Sequence, residues 1–279
     1  MSFPPDVFLI GAMKAGTTSL AEILSQHPDI CVASPKEPHF LTEHVGKSLD
    51  WYRARFDHPD RKICIDASTS YSIAPIKNAS EFKRVCTKYR GVPERISAIN
   101  PSAKFIYVLR EPVARTYSHY NHNARAGWER RPFIQAIRED AQYLSASHYL
   151  EQLEFYWKIF PRESILLLSF EEFMRNPVDS AYRCFDFLGL NTTVSLELDR
   201  PKNVGFLYNP VGIFLHKLGL LDAVSGLMPA TLKQFLAPLV SKTVPPISQV
   251  DRDELARYFM PLNAALSDAT GFNVSAWSH

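Results

Sequence analysis

Neither sign of charge is in large excess along this chain of 279 residues, whose 31 basic and 29 acidic side chains leave a formal charge of +2. With no basic tail or stripe among them, the composition argues against a nucleic-acid partner, and any preference for anions must be local. Cysteine is sparse as well. Cys31, Cys64, Cys86 and Cys184 show no metal-ligand spacing, so we expect reduced, buried thiols and no bound metal. Long apolar runs are missing too, none approaching the roughly 20 residues of a membrane span. The first apolar run starts within eight residues of Met1, which leaves no room for a charged, an apolar and a cleavage region in front of it. The expectation is a cytoplasmic protein. Repeats, low-complexity tracts and flexible linkers are also lacking, while 46% apolar content is ample for a core. These point to one domain over 1–279, with a core over about 1–208 and a helical cap and C-terminal helix over about 209–279.

What is present is a series of short, β-rich apolar runs: Val7 to Ile10, Ile30 to Val32, Ile63 to Ile65, Phe105 to Leu109 and Ile165 to Leu168. They are continuous rather than alternating, as in strands buried on both faces of a parallel sheet. Helical stripes lie between them, one made by Leu20, Ile23 and Leu24 and another by Leu150, Leu153, Trp157 and Phe160. Such a βα repeat predicts a layered α/β sandwich, without disclosing its strand order. The stretch from Pro210 to Pro246 reads as helical segments broken by Gly226, Pro229 and Pro238, and a last helix is expected over Arg252 to Leu266.

Phe8 to Leu20, FLIGAMKAGTTSL, runs from the first strand through a glycine-bracketed loop into a helix. Gly11 and Gly16 keep the glycine spacing of a nucleotide triphosphatase P-loop, but Thr17 stands in the lysine slot and Lys14 lies inside the loop. Backbone N–H groups and a helix N-terminus hold anions in such a loop, and glycines let the main chain approach them. Lys14, Ala15, Gly16, Thr17 and Thr18 suit that arrangement, with Lys14 reaching back toward a phosphate oxygen. A tight turn with a capping threonine and a solvated lysine is the plainer alternative.

A second anion site is suggested by FIYVLREPVARTYSHY, where Arg110 leaves the carboxyl end of a strand and Pro112 starts a helix. Ligands of open α/β sheets collect at strand carboxyl ends. Ser118, in the second turn of that helix, adds a hydroxyl. A strand-end arginine also serves in structural ion pairs, so the inference rests on the two motifs together: one ligand with two separated phosphates accounts for both.

Together, GAMKAGTTSL, SPKEPHFL, LREPVARTYSHY, FPRESILLLSFEEFMRNP and KNVGF make the chain resemble the sulfotransferases that use 3′-phosphoadenosine 5′-phosphosulfate (PAPS), in particular the branch of heparan sulfate sulfotransferases and bacterial relatives. The resemblance implies an α/β, P-loop-type three-layer sandwich with a central parallel β-sheet and a helical C-terminal cap. It also implies a 5′-phosphosulfate site at Lys14 to Thr18 and a 3′-phosphate site at Arg110 and Ser118. Glu37, in the proline-stiffened segment Ser34 to Phe40, matches the family's proposed general base, and a surface carboxylate in a turn is the alternative. His39 is the rival base, since other sulfotransferases use a histidine, or else it orients Glu37 or binds acceptor. Lys202, Asn203, Val204, Gly205 and Phe206 match a loop that closes on the cofactor, or form a plain surface turn. In IDASTSYS, Ser68 takes the place of a lysine that assists the acceptor in the animal enzymes, and Lys36 is a candidate to replace its charge.

The expected reaction is in-line transfer of a sulfuryl group from PAPS to an acceptor hydroxyl or amine, leaving adenosine 3′,5′-bisphosphate, with Lys14 neutralising the leaving phosphate and no metal required. The acceptor is a sugar, lipid, acyl chain or phenol, and the oligomeric state is unreadable. Trp51, Tyr52, Tyr71 and Trp128, together with the apolar stretches of Pro210 to Pro246, either line its site or belong to core. His119 and His122, at i and i+3, are read as a solvated or packed pair rather than metal ligands. Two rivals remain: a P-loop kinase using Mg-ATP, with Asp66 at a strand end holding the metal, and a non-catalytic binding module on the same fold.

Overall fold

A computed structural model describes residues 3–198, 206–208 and 241–277. Five parallel strands, β1 (Val7–Gly11), β2 (Ile30–Val32), β3 (Ile63–Asp66), β4 (Lys104–Leu109) and β5 (Ile165–Ser169), form one sheet in the order β2-β3-β1-β4-β5. Each coincides with an expected apolar run to within one residue. Val7 to Ile10 and Phe105 to Leu109 are entirely excluded from solvent, which is why the central strands read as unbroken apolar runs. Tertiary placement supplies what periodicity could not. From β1 the chain passes to the edge strand β2, returns to β3 between β2 and β1, and then crosses to β4 on the other side of β1. The carboxyl ends of β1 and β4 therefore form a topological switch point, where open α/β sheets bind ligands.

Helices flank this sheet: α1 (Thr17–Leu24), α2 (Leu49–Arg53), α3 (Val92–Ile99), α4 (Pro112–Arg125), α5 (Phe133–Glu139), α6 (Ala141–Ser145), α7 (Tyr149–Trp157), α8 (Phe170–Arg175) and α9 (Pro177–Leu188). In α1 the expected stripe holds, with Leu20 and Leu24 fully buried. The stripe of α7 is rotated from the one expected. Tyr149, Leu153 and Tyr156 are the buried face, while Leu150 and Trp157 are only half-buried. The sheet selects this phase: Tyr156 packs edge-on against Phe105 at 4.9 Å and Tyr149 against Tyr107 at 5.9 Å.

The C-terminal helix runs over Gln249–Thr270, longer than expected at both ends, from a Ser248 cap that accepts from the Asp251 N–H at 3.1 Å to Gly271 in the left-handed region. A small antiparallel pair joins β6 (Phe206–Tyr208) to β7 (Ser241–Thr243). The expected helices of Pro210 to Pro246 fall almost wholly outside the described residues. Cys31, Cys64 and Cys184 are buried free thiols as expected, but Cys86, just before a short turn of helix, is only half-buried against the small cluster of Ile73, Tyr89 and Ala146. No described helix is long and apolar enough to cross a membrane.

Candidate active site

The loop between β1 and α1 turns sharply, and its glycines are needed where they stand. Gly11 has φ 150° and a Cβ there would run into Ser72 Oγ, which donates to the Ile10 carbonyl at 2.7 Å. Gly16 has φ 73°, and its Cβ would lie 3.1 Å from the Phe173 ring and 3.2 Å from Phe170. Helix α1 starts at Thr17 with no side-chain cap, so its first N–H groups face the loop mouth. Ala15 is buried, Thr17 is buried and Thr18 is exposed. Lys14 itself sits at φ 71°.

Arg110, at the end of β4, reaches across the switch point and donates from Nη1 to the Lys14 carbonyl at 2.7 Å, with its guanidinium 4.6 Å above the Phe170 ring. Lys14, Arg110 and Ser118 line one cleft of about 320 Å³ together with Tyr117, Asn121, His122, Arg125 and Arg252. Among the described residues lining it are four cationic side chains and no carboxylate. Burial, reinforced by Arg125 and Arg110, brings the Lys14 ammonium down to a pKa of about 8. Such a set of cationic donors suits an anionic ligand. The N-terminus of α4 does not contribute to it, because Glu111 accepts from the Val113 and Ala114 N–H groups at 2.8 and 2.6 Å.

A second cleft, of about 500 Å³, opens on the other side of the loop and contains Met13, Glu37, His39, Thr69, Ser70, His119, His122, Trp128 and Tyr143. Met13 and Lys14 thus face different clefts, and His122 lines both. Glu37 stands at the border. Its Oε1 is 2.8 Å from Lys36 Nζ, which also lies 3.3 Å from Thr17 Oγ1; its Oε2 accepts from Thr69 Oγ1 at 3.1 Å and lies 3.4 Å from His39 Nε2. Burial alone would push this carboxyl up, but Lys36, His39 and Thr69 together hold it below the usual carboxylate range. His39 Nδ1 is 2.9 Å from Ser70 Oγ, so the imidazole is held between Ser70 and Glu37.

Beneath this surface, Ser68 and Asp66 are structural. Asp66 is fully buried and accepts at Oδ2 from Tyr52 (2.5 Å) and Tyr71 (2.8 Å), and at Oδ1 from the Ser68 N–H (2.9 Å) and Oγ (2.6 Å). A carboxylate so engaged presents no face to a metal, which removes the structural basis of the Mg-ATP reading. Ser68 Oγ in turn accepts from the His39 N–H at 3.0 Å and anchors the segment that carries Glu37.

Of the aromatic candidates, Tyr52 and Tyr71 are core and Trp51 stacks on Phe40 at 6.3 Å, whereas Trp128 is 74% exposed on the second cleft. His119 is buried and His122 half-buried. Burial foremost, with Arg115 and other nearby cations, holds His119 well below the ordinary histidine range; burial with Lys14 and Arg125 brings His122 to about 4. Lys202, Asn203, Val204 and Gly205 lie outside the described residues, and Phe206 begins β6.

Several groups were not singled out from the sequence. Arg125 stands seven residues after Ser118 on α4, so helical periodicity would have placed it on the same face. Arg252 comes from the C-terminal helix and carries no such signal. Arg115 is completely buried: its guanidinium donates to Ser147 Oγ, to the Tyr143 carbonyl at 2.5 Å, to Thr116 Oγ1 at 3.2 Å and to the Met13 carbonyl at 3.4 Å. Glu171 joins the Glu111 N–H (2.8 Å), Ser169 Oγ (3.0 Å) and Trp277 Nε1 (3.1 Å), so the chain's C-terminal region is tied to the strand end that carries Arg110.

The chain is 29% identical over 205 residues to human heparan sulfate glucosamine 3-O-sulfotransferase 3B1, covering 68% of this chain and 47% of the relative. It is likewise 29% identical over 208 residues to the human 3-O-sulfotransferase 5, covering 55% of that protein. The chain thus spans about half the length of the curated relatives it matches. In fold it is similar to a sulfotransferase from Alicyclobacillus acidocaldarius, with a TM-score of 0.68, 24% identity and 99% of each chain covered. The family model described as sulfotransferase domain matches residues 4–203, which include the Lys14 loop, Arg110, Ser118, the Glu37 segment and the whole five-stranded sheet. The chain therefore belongs to the sulfotransferase domain family.

Proposed function

We propose that the chain transfers a sulfuryl group from PAPS to an acceptor hydroxyl or amine. One observation carries the reading: consecutive loop residues, Met13 and Lys14, open onto two clefts, one lined by cations and the other containing Glu37 and His39. The donor supplies an activated sulfuryl group and departs as adenosine 3′,5′-bisphosphate. Arg110 and Ser118 hold the 3′-phosphate, while the first N–H groups of α1 and the Lys14 ammonium hold the 5′-phosphate oxygen from which sulfur separates. Glu37, ionised at neutral pH, accepts the acceptor's proton as the new bond to sulfur forms. Lys36 bridges Glu37 and Thr17, so base and donor loop share one cation. His39 holds the far carboxylate oxygen of Glu37.

The test is thermal unfolding with and without adenosine 3′,5′-bisphosphate in chelator, followed by labelled-sulfate transfer from PAPS. Stabilisation by the bisphosphate without Mg²⁺ and transfer to an acceptor are expected. Stabilisation by Mg-ATP alone would return the kinase reading, and bisphosphate binding without turnover on any acceptor would favour the binding module.

A further inference from the structure

We propose that the second cleft takes an uncharged, polyhydroxylated acceptor of sugar type, and not a polyanion, an inference that rests on the sulfuryl-transfer reading. The cleft's charges are already matched within the chain. Glu37 is paired with Lys36 at 2.8 Å, Glu43 with Lys88 at 2.5 Å, Glu129 with Arg131 at 2.6 Å and Asp140 with Arg84 at 3.6 Å. Arg131 also lies 3.1 Å from Glu139. An acidic chain entering here would meet four carboxylates before any cation that lacks a carboxylate of its own among the described residues.

His119 and His122 add no positive charge, since both are held in the neutral form, and His39 is already engaged by Glu37 and Ser70. His119, 1% exposed, lines the cleft with its ring 4.8 Å from that of Tyr143, and its Nδ1 has no hydrogen-bond partner among the described residues. A buried imidazole nitrogen without a partner is costly unless a ligand satisfies it. The other polar groups around it, Thr69, Ser70, Asn123, Gln142 and Tyr143, are hydroxyls and amides that exchange hydrogen bonds with hydroxyls at no charge cost. Above them Trp128 is 74% exposed, its ring edge-on to His122 at 6.1 Å, an aromatic face at the mouth on which a sugar ring can stack.

The experiment is labelled-sulfate transfer from PAPS to neutral oligosaccharides, cellotetraose and chitotetraose, against the anionic polysaccharide N-sulfoheparosan, with bisphosphate binding followed by thermal shift in parallel. We expect kcat/KM for a neutral acceptor to exceed that for the polyanion by at least about tenfold. Trp128→Ala is expected to raise KM for that acceptor about tenfold with bisphosphate affinity kept, and His119→Asn to do likewise. Preference for the polyanion overturns the inference while leaving sulfuryl transfer intact. So does transfer to neither neutral sugar when bisphosphate still stabilises the fold. Loss of bisphosphate binding overturns both.

Discussion

Arg110 Nη1 donates to the main-chain carbonyl of Lys14 at 2.7 Å, which ties the end of β4 to the middle of the β1–α1 loop. The strand end and the loop, almost a hundred residues apart, are therefore one mechanical unit. On the proposed reading this arginine has two tasks, to bind one phosphate and to hold the loop that binds the other. Arg110→Ala should weaken adenosine 3′,5′-bisphosphate binding by about ten- to a hundredfold and cost about 1.5–3 kcal/mol of stability, as expected for a hydrogen bond from a charged group. Titration calorimetry and urea unfolding measure the two losses separately. Unchanged bisphosphate affinity would remove Arg110 from the site.

Lys14 gives a pH signature. In the folded chain without anion its pKa is about 8, against 10.5 when unfolded, so the folded state releases the proton more readily. Below pH 8 the buried charge costs stability, and that cost fades as pH rises from 8 to 10.5. Lys14→Met should accordingly stabilise the ligand-free protein at pH 7 by about 1–3 kcal/mol, with the advantage gone above pH 10.5. Bisphosphate affinity should run the other way, falling in the parent above pH 8 and showing no such limb in Lys14→Met. Parallel binding isotherms and unfolding curves across pH 6–11 decide it.

For the candidate base, Glu37→Gln is expected to lower kcat by about 10²–10⁴ with bisphosphate affinity kept. Because its folded pKa is depressed, the ionised form contributes above the ordinary carboxylate range and is lost as pH falls through the folded value. Lys36→Met removes the nearest cation, so the acid limb of the kcat profile should move to higher pH. An acid limb that stays in place in Lys36→Met would mean that another group is titrating, with His39 the next to examine.

Arg115 itself lines neither cleft, yet its guanidinium fastens Met13, which lines the second, to α6 and to Ser147. Replacing it leaves buried acceptors unsatisfied. Arg115→Met should cost about 3–5 kcal/mol in urea unfolding, with KM for PAPS rising as the loop loosens. A loss below 1 kcal/mol would show the network to be dispensable.

The local geometry of the proposed phosphate loop was legible in the sequence. Gly11, Lys14, Gly16 and Thr17 belong to one strand–loop–helix unit, whose geometry follows from glycine freedom and a helix start, and their spacing carries that information. Arg110 and Ser118 were readable for the same reason, as a strand end and the second turn of the next helix. Arg115 was not, because a fully buried guanidinium has the same letter as a solvated one and is distinguished only by the carbonyls around it. Nor was the rotated face of α7, where Leu150 and Trp157 look as apolar as Tyr149 and Tyr156 until Phe105 and Tyr107 select between them.

By itself, then, the sequence determined the kind of sheet, the glycine-bracketed loop between β1 and α1 and the groups proposed here for phosphate, since each depends on neighbours a few residues away. Tertiary structure alone decided that β4 lies beside β1, and hence that Arg110 reaches Lys14. It also decided that Asp66 is consumed by Tyr52, Tyr71 and Ser68, and that Met13 and Lys14 face different clefts. The physical reason is range: hydrogen bonds and buried charges are settled by atoms within a few ångströms, and in a crossed parallel sheet those atoms come from distant parts of the chain.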